Sequence, residues 1–297
     1  MENVEYLDSI EEYNRLFGFK TIHPMVNYVE FDAPHALNIG KRMLGFYCLF
    51  LKETKGCIIN YGKTKYDFDD QTIVCMAPGQ TIEFLAVEGK PAKAKGIIFH
   101  PDFLHGTRLE KKMKTYSFFS YASNEALHLS EVERHTIVSC MRIVAAELQH
   151  PIDKHSKSLV CSNLELILDY CLRFYERQFI TRQDLNVTAL SKFEKLVNEY
   201  ISSERMEKEG LPTVRYFAEK VFLSPNYFGD MVKAETGKTA QEYISLRLFD
   251  HAKKQLATTN MSIKQIAIQL GFKHSPHFVR FFKKHAGTTP TEYRKAL

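Results

Sequence analysis

Short apolar and β-branched runs alternate with turn formers from Met25 to about Phe99: MVNYVEF, GFYCLFL, GCIINY, TIVCMAP, TIEFLAV and GIIF. Gly62, Pro78, Gly79, Gly89, Pro91 and Pro101 punctuate them, where reversal needs the φ freedom of glycine or the fixed φ of proline. Strands this short and regularly spaced predict an all-β sandwich or barrel. After about Ser123 the period becomes helical. Ser130 and Glu133 have capping-box spacing, and Ile137, Met141, Val144 and Leu148 follow at helical intervals before Pro151 ends the helix. A second helix from about Ser158 carries Val160, Leu164, Ile167, Cys171 and Phe174 on one face, and Leu159, Leu166, Tyr170, Leu168, Leu172 and Tyr175 on others. A helix apolar nearly all round is buried on more than one side. The first helix can cover one side; the barrel of the same chain or a partner subunit covers another. The polar stretch TRQDLNVT, 181–188, reads as a linker, and the remainder is helical.

The 297 residues are enough for two or three domains at roughly 100–200 residues each. With 44% hydrophobic and 25% charged residues, the composition is that of a soluble globular protein. No run approaches the roughly 18 apolar residues of a membrane span, and the opening MENVEYLDSIEEYNRLFGF is acidic where a secretory signal is basic and then apolar. The expected location is therefore the cytoplasm. Cys48, Cys57, Cys75, Cys140, Cys161 and Cys171 sit among apolar neighbours without a C-x-x-C pair, so they read as buried thiols rather than a zinc site or disulfide framework.

Charge changes the reading only through its position. The chain carries +5 overall, but from Leu190 onward 18 Lys and Arg face 11 Asp and Glu. Residues 251–297 hold nine basic groups (Lys253, Lys254, Lys264, Lys273, Arg280, Lys283, Lys284, Arg294 and Lys295) against Glu292 alone. So lopsided a charge in a helical unit points to phosphate binding.

The same region repeats itself. At an offset of 50, Phe228, Lys233, Gly237, Thr239, Glu242 and Tyr243 match Phe278, Lys283, Gly287, Thr289, Glu292 and Tyr293. At an offset of 49, Phe217, Ala218 and Val221 match Ile266, Ala267 and Leu270. In the second copy Ser262 and Gln265 form a capping box, Gly271 and Phe272 form a C-cap, and Ser275 and Pro276 restart the chain as N-cap and first helical residue. Ser224 and Pro225 perform the restart in the first copy. Two helices joined by a tight turn, with a small alanine at the crossing and a basic amphipathic second helix, make a helix-turn-helix pattern. Two helical hairpins of an ordinary α-domain would share the periodicity but explain neither the charge nor the restarts. Thr239 and Glu242 cap a connecting helix to about Thr258, roughly 27 Å long at ~1.5 Å per residue. Such a rod could hold two recognition helices near the ~34 Å repeat of B-DNA.

SIKQIAIQLGFKHSPHFVRFFKKHAGTTPTEYR, residues 262–294, resembles the signature of the AraC/XylS transcriptional regulators, and the likeness extends back to about Leu190. The resemblance implies a multidomain α+β chain: a cupin-like β-barrel that senses an effector (1–125), a helical dimerisation segment and linker (126–188), and an all-α DNA-binding domain with two helix-turn-helix units (189–297). It also implies base-reading helices at Ser224–Thr236 and His274–His285. The DNA-binding candidates are Ser224, Pro225, Asn226, Tyr227 and Lys233 in the first unit, and His274, Ser275, His277, Arg280, Lys283 and Lys284 in the second. Arg280 can pair with guanine or phosphate; Lys283 and Lys284 suit phosphate; Asn226 suits adenine. Asp230 stands where the family commonly has arginine and would repel phosphate, and Gly229 offers no reading group. Met206–Asp250 holds six basic and seven acidic residues, so the second unit should supply most of the electrostatic affinity.

The expected function is thus a sequence-specific regulator, an activator by resemblance, that inserts two recognition helices into successive major grooves of double-stranded promoter DNA. A small-molecule effector, a homodimer and contact with RNA polymerase are the expected partners, with no membrane, metal or other cofactor. The sequence does not place the effector pocket. One alternative is a cupin-type metalloenzyme, but His23, His35, His100 and His105 form no H-x-H pair, and Gly79 and Gln80 stand where a metal cupin presents histidine. Gly62-Lys63-Thr64 lacks the earlier glycine of a phosphate loop. A regulator answering to a protein partner is the other alternative.

Overall fold

The computed structural model describes residues 4–33, 39–53, 57–61, 71–86, 92–121, 125–181 and 183–296. His35 and Gly62-Lys63-Thr64 lie outside the described residues. The chain divides into two compact units, Met1–Gln178 and Phe179–Leu297.

The first unit holds β1 (Glu5–Leu7), α1 (Ile10–Phe17), β2 (Val26–Ala33), β3 (Ile39–Leu44), β4 (Tyr47–Lys52), β5 (Cys57–Tyr61), β6 (Thr72–Met76), β7 (Thr81–Ala86), β8 (Ala92–Phe99), α2 (Arg108–Lys112) and β9 (Leu127–His128). Each apolar run of the sequence pattern became a strand. The closed barrel did not: the strands form two sheets, β1-β3-β7-β5 and β2-β8-β4-β6-β9, with no pairing between them among the described residues. The sheets meet through side chains, with Leu44 and Ile82 from one and Val29, Phe50, Met76 and Ile98 from the other in a single core cluster. α1 adds Ile10 and Tyr13 to that cluster. Gly96 faces Phe50 across β8 and β4, and a Cβ there would come within 2.2 Å of the ring. At the APGQ turn Gly79 adopts φ 81°, while Gln80 accepts from the Ala77 amide and donates to the Phe119 carbonyl, both at 2.8 Å. Gln80 is therefore a turn-locking residue.

α3 (Glu131–Gln149) opens with the expected Ser130/Glu133 capping box and buries Ile137, Met141, Val144 and Leu148. α4 (Ser156–Thr181) buries Val160, Leu164, Ile167, Cys171 and Phe174, leaving Leu159 and Leu166 exposed. Contacts within its own unit fix it: Tyr175 stacks on Phe118, Lys112 pairs with Glu165 and Asp169, and Arg177 pairs with Glu133. Cys48, Cys75, Cys140, Cys161 and Cys171 are free and buried. Burial pushes the Cys48, Cys75, Cys140 and Cys161 thiols up, which keeps them unreactive.

The stretch expected to be a linker is helical from 183 onward, as the start of α5 (Gln183–Ser202). Its polarity misled because Asn186 is buried, its amide donating to the Phe179 carbonyl at 2.6 Å. The second unit continues with α6 (Arg205–Glu209), α7 (Val214–Lys220), α8 (Pro225–Thr236), α9 (Ala240–Thr258), α10 (Ile263–Gln269), α11 (Ser275–Ala286) and α12 (Pro290–Lys295). α9 is its axle, burying Ala240, Ile244, Leu248, Ala252 and Leu256 at four-residue spacing and touching α5, α8, α10, α11 and α12.

Candidate nucleic-acid interface

α7 and α8 form one helix-turn-helix, α10 and α11 the other, and the two share their local geometry. Ala218 and Ala267 are fully buried, as close helix crossing requires. Each first helix ends in a bond spanning five residues: the Leu223 amide donates to Ala218 (3.0 Å) and the Phe272 amide to Ala267 (2.9 Å). The turn residue is left-handed in both, Phe222 at φ 61° and Gly271 at φ 75°. After each recognition helix a glycine cap follows, Gly237 or Gly287, and then a Thr/Glu capping box opens the next helix. The Thr239 amide holds the Glu242 carboxyl below the ordinary range, and Thr289 does the same for Glu292. Rings fill both cores: Phe228 meets Phe193 edge-on at 4.9 Å, and Phe282 meets Tyr293 at 5.3 Å.

A family model described as a helix-turn-helix domain, of AraC type, matches residues 217–296. Residues 217–296 are an AraC-type helix-turn-helix domain. Over 111 residues the chain is 34% identical to the uncharacterized HTH-type transcriptional regulator YtdP of Bacillus subtilis, covering 37% of this chain and 14% of that protein. Over 105 residues it is 35% identical to the bifunctional transcriptional activator/DNA repair enzyme AdaA of the same organism, covering 35% of this chain and 48% of that protein. The chain thus spans less than half the length of these curated relatives. Among solved structures, the C-terminal domain of the two-component response regulator yesN from Fusobacterium nucleatum matches at 31% identity, with 34% of this chain and 96% of that chain covered and a TM-score of 0.30.

On the AraC-type domain the candidate residues separate sharply. His274, His277, Arg280, Lys283 and Lys284 are exposed along α11 and its cap, with Ser275 half-buried. Phe278 and Phe282 are buried on the opposite side, and Phe281 is half-buried against Phe272. Arg280, Lys283 and Lys284 form no ion pair among the described residues. On α8, Pro225, Asn226 and Lys233 are exposed, whereas Gly229 and Asp230 are half-buried.

Two expectations need correction. Tyr227 is buried, its ring 5.0 Å from Phe179, so it is a packing residue with no face for DNA. Ser275 is the first helical residue rather than the N-cap; His274 holds the cap position without a side-chain bond, and Pro276 follows at the second position, where its missing amide costs no helical bond. Ser224 does cap α8, accepting from the Tyr227 amide at 3.3 Å.

Not all nine basic groups are free for phosphate. Arg294 donates to the carbonyls of Leu256 (3.1 Å) and Met261 (2.6 Å), fastening α12 to the end of α9. Lys253 pairs with Asp250 at 2.9 Å. Lys273, one of the nine basic groups but not one of the DNA-binding candidates, is exposed in the turn before α11. Phe222 was passed over too: it is 79% exposed, with the Lys192 ammonium 4.9 Å from its ring.

Among the described residues no group of three or more His, Cys, Asp or Glu side chains is arranged to hold a metal ion, and no helix is long and apolar enough to cross a membrane.

Proposed function

We propose that the chain is a sequence-specific transcriptional regulator that binds double-stranded promoter DNA through α8 and α11, with α11 carrying most of the affinity. One observation supports this above all: two helix-turn-helix units with matching left-handed turns and glycine caps flank a single rod, and α11 presents an unpaired cationic face. α9 has 19 residues, or about 28 Å at ~1.5 Å per residue, a length that supports insertion of the two recognition helices into successive major grooves. Arg280 reads guanine or grips phosphate, Asn226 reads adenine, and Lys233, Lys273, Lys283 and Lys284 neutralise phosphates.

The two-sheet unit serves as the cupin-like sensing part. An effector acts by binding one arrangement of the chain better than another. The exposed Val132, Ile143, Leu159 and Leu166 on α3 and α4 favour a homodimer through the helical pair. In this reading the protein is a cytoplasmic activator working with RNA polymerase and has no catalytic centre. Genome-wide binding with the full chain, followed by motif discovery, tests the reading. A shared motif with two sub-sites about one helical turn apart is expected; fragments without any common sequence would contradict it.

A further inference from the structure

Within the first unit, a cavity of about 390 Å³ opens between the segment leading into β2, the turn after β8, the end of α3 and the start of α4. That volume lies within the roughly 300–1,000 Å³ of small-molecule sites. The buried Phe103, Leu148 and Val160 are among its lining, and Met25 and Ile152 line it from more exposed positions.

The charged groups of the cavity are mostly engaged. Asp153 accepts from the His155 and Ser156 amides that start α4, and Asp102 pairs with His100 and His105. Lys157 donates to the His105 carbonyl at 2.9 Å with its ammonium 5.9 Å from the Phe103 ring centroid. Glu147 differs: it is half-buried, and its carboxylate has no hydrogen-bond or ion-pair partner among the described residues. A carboxylate held beside apolar surface without a partner favours a cation.

We propose that this cavity binds a small organic amine, its ammonium paired with Glu147 and its apolar body laid on Phe103, Leu148 and Val160. An anion of the same shape would meet three carboxylates, Asp102, Glu147 and Asp153, against one lysine. His23 supplies a second point of recognition. Its Nδ1 accepts from the Met25 amide at 3.0 Å and burial lowers its pKa, so the neutral ring carries its proton on Nε2, a donor for a ligand oxygen. Because the walls come from both the segments flanking β2 and β8 and the helical pair, an amine here would tie the two together. That consequence deepens the effector part of the proposed function and rests on it; the binding itself does not.

Calorimetric titration of the full chain without DNA tests the site, using butylamine, cyclohexylamine and phenethylamine as probes and phenylpropionate as the anionic match for phenethylamine. Saturable binding of at least one amine is expected, with phenylpropionate weaker by roughly tenfold or more. Glu147→Gln should weaken the amine by a similar factor, and Met25→Trp, at the partly exposed rim, should block it. The proposal is overturned if no amine binds into the millimolar range, the weak end of specific affinity. Phenylpropionate binding as well as the amine would overturn it too, as would an amine isotherm unmoved by both variants. Failure to bind DNA would overturn the proposed function and leave this site standing. Amine binding that leaves DNA affinity unchanged would remove the effector role alone.

Discussion

The two helix-turn-helix units share a backbone and differ in what they ask of it. In the second, the left-handed turn residue is Gly271, and a Cβ there would lie 2.7 Å from the Met206 carbonyl oxygen and 2.8 Å from the carbonyl carbon of Gly210. α6 packs so closely against this turn that glycine is needed twice, for φ and for space. In the first unit the same turn holds Phe222, a bulky side chain in a strained conformation, pointing into solvent beside Lys192. The recognition helices diverge likewise: α11 presents Arg280 and two lysines outward, while α8 sets Gly229 and Asp230 on its half-buried flank. A fold can thus be duplicated faithfully while its chemistry is concentrated in one copy.

The sharpest way to break that comparison is at the turns. Gly271→Ala should destabilise the second unit by more than about 2 kcal/mol, combining the ~1–2 kcal/mol cost of a left-handed non-glycine with a backbone clash. Phe222→Gly relieves the same strain and should be neutral or stabilising by up to about 1 kcal/mol, since it also gives up an exposed cation–π contact. Urea midpoints of both variants check this, and equal destabilisation would contradict the contrast between the two turns. On the binding side, Lys283→Ala should weaken all duplex DNA about equally and reduce the salt slope of binding by about one. Its repeat partner change, Lys233→Ala, should reduce the slope less if α11 carries the electrostatic load.

A smaller effect sharpens the contrast within α8. Around Gly229 a Cβ would meet nothing within 4 Å, so Gly229→Ala should fold normally and raise stability by about 1 kcal/mol from helix propensity alone. A loss of stability would mean that Gly229 serves close packing. The smallest expected effect is with pH. Burial lowers the pKa of His251, so the unfolded chain takes up that proton first as pH falls below about 6.5. Stability present above that pH should decline toward pH 5, and less so in His251→Gln; a melting temperature that rises on acidification would contradict the assignment.

How much was legible depended on whether the signal was local. The second helix-turn-helix could be read almost entire, because Ser262/Gln265 and Gly271 each act within a few residues of chain, and those caps stand as read, as does Thr239/Glu242 before it. The first turn was not, because Phe222 occupies the place where glycine would have announced it. Tyr227 looked like a surface residue because the ring that buries it, Phe179, lies 48 positions earlier. α1 carried its own signal, with Ser9 capping it through the Glu12 amide and Ile10 and Tyr13 on one side, but in a segment read only for its charge. Strand spacing found the runs that became strands and could not reveal closure, since pairing partners are set by contacts far apart in sequence. β1, β3 and β9, lacking a long apolar run, went unseen.

The central claim is that α11 dominates recognition of DNA. Side-by-side titration of Arg280→Ala and Asn226→Ala full-length protein on the same promoter duplex, at one fixed salt concentration, tests it most directly. Arg280→Ala should lose roughly 1 to 3 kcal/mol of binding and relax sequence choice, with a smaller loss for Asn226→Ala. An unchanged affinity for the Arg280 variant, or a larger loss for the Asn226 variant, would contradict it.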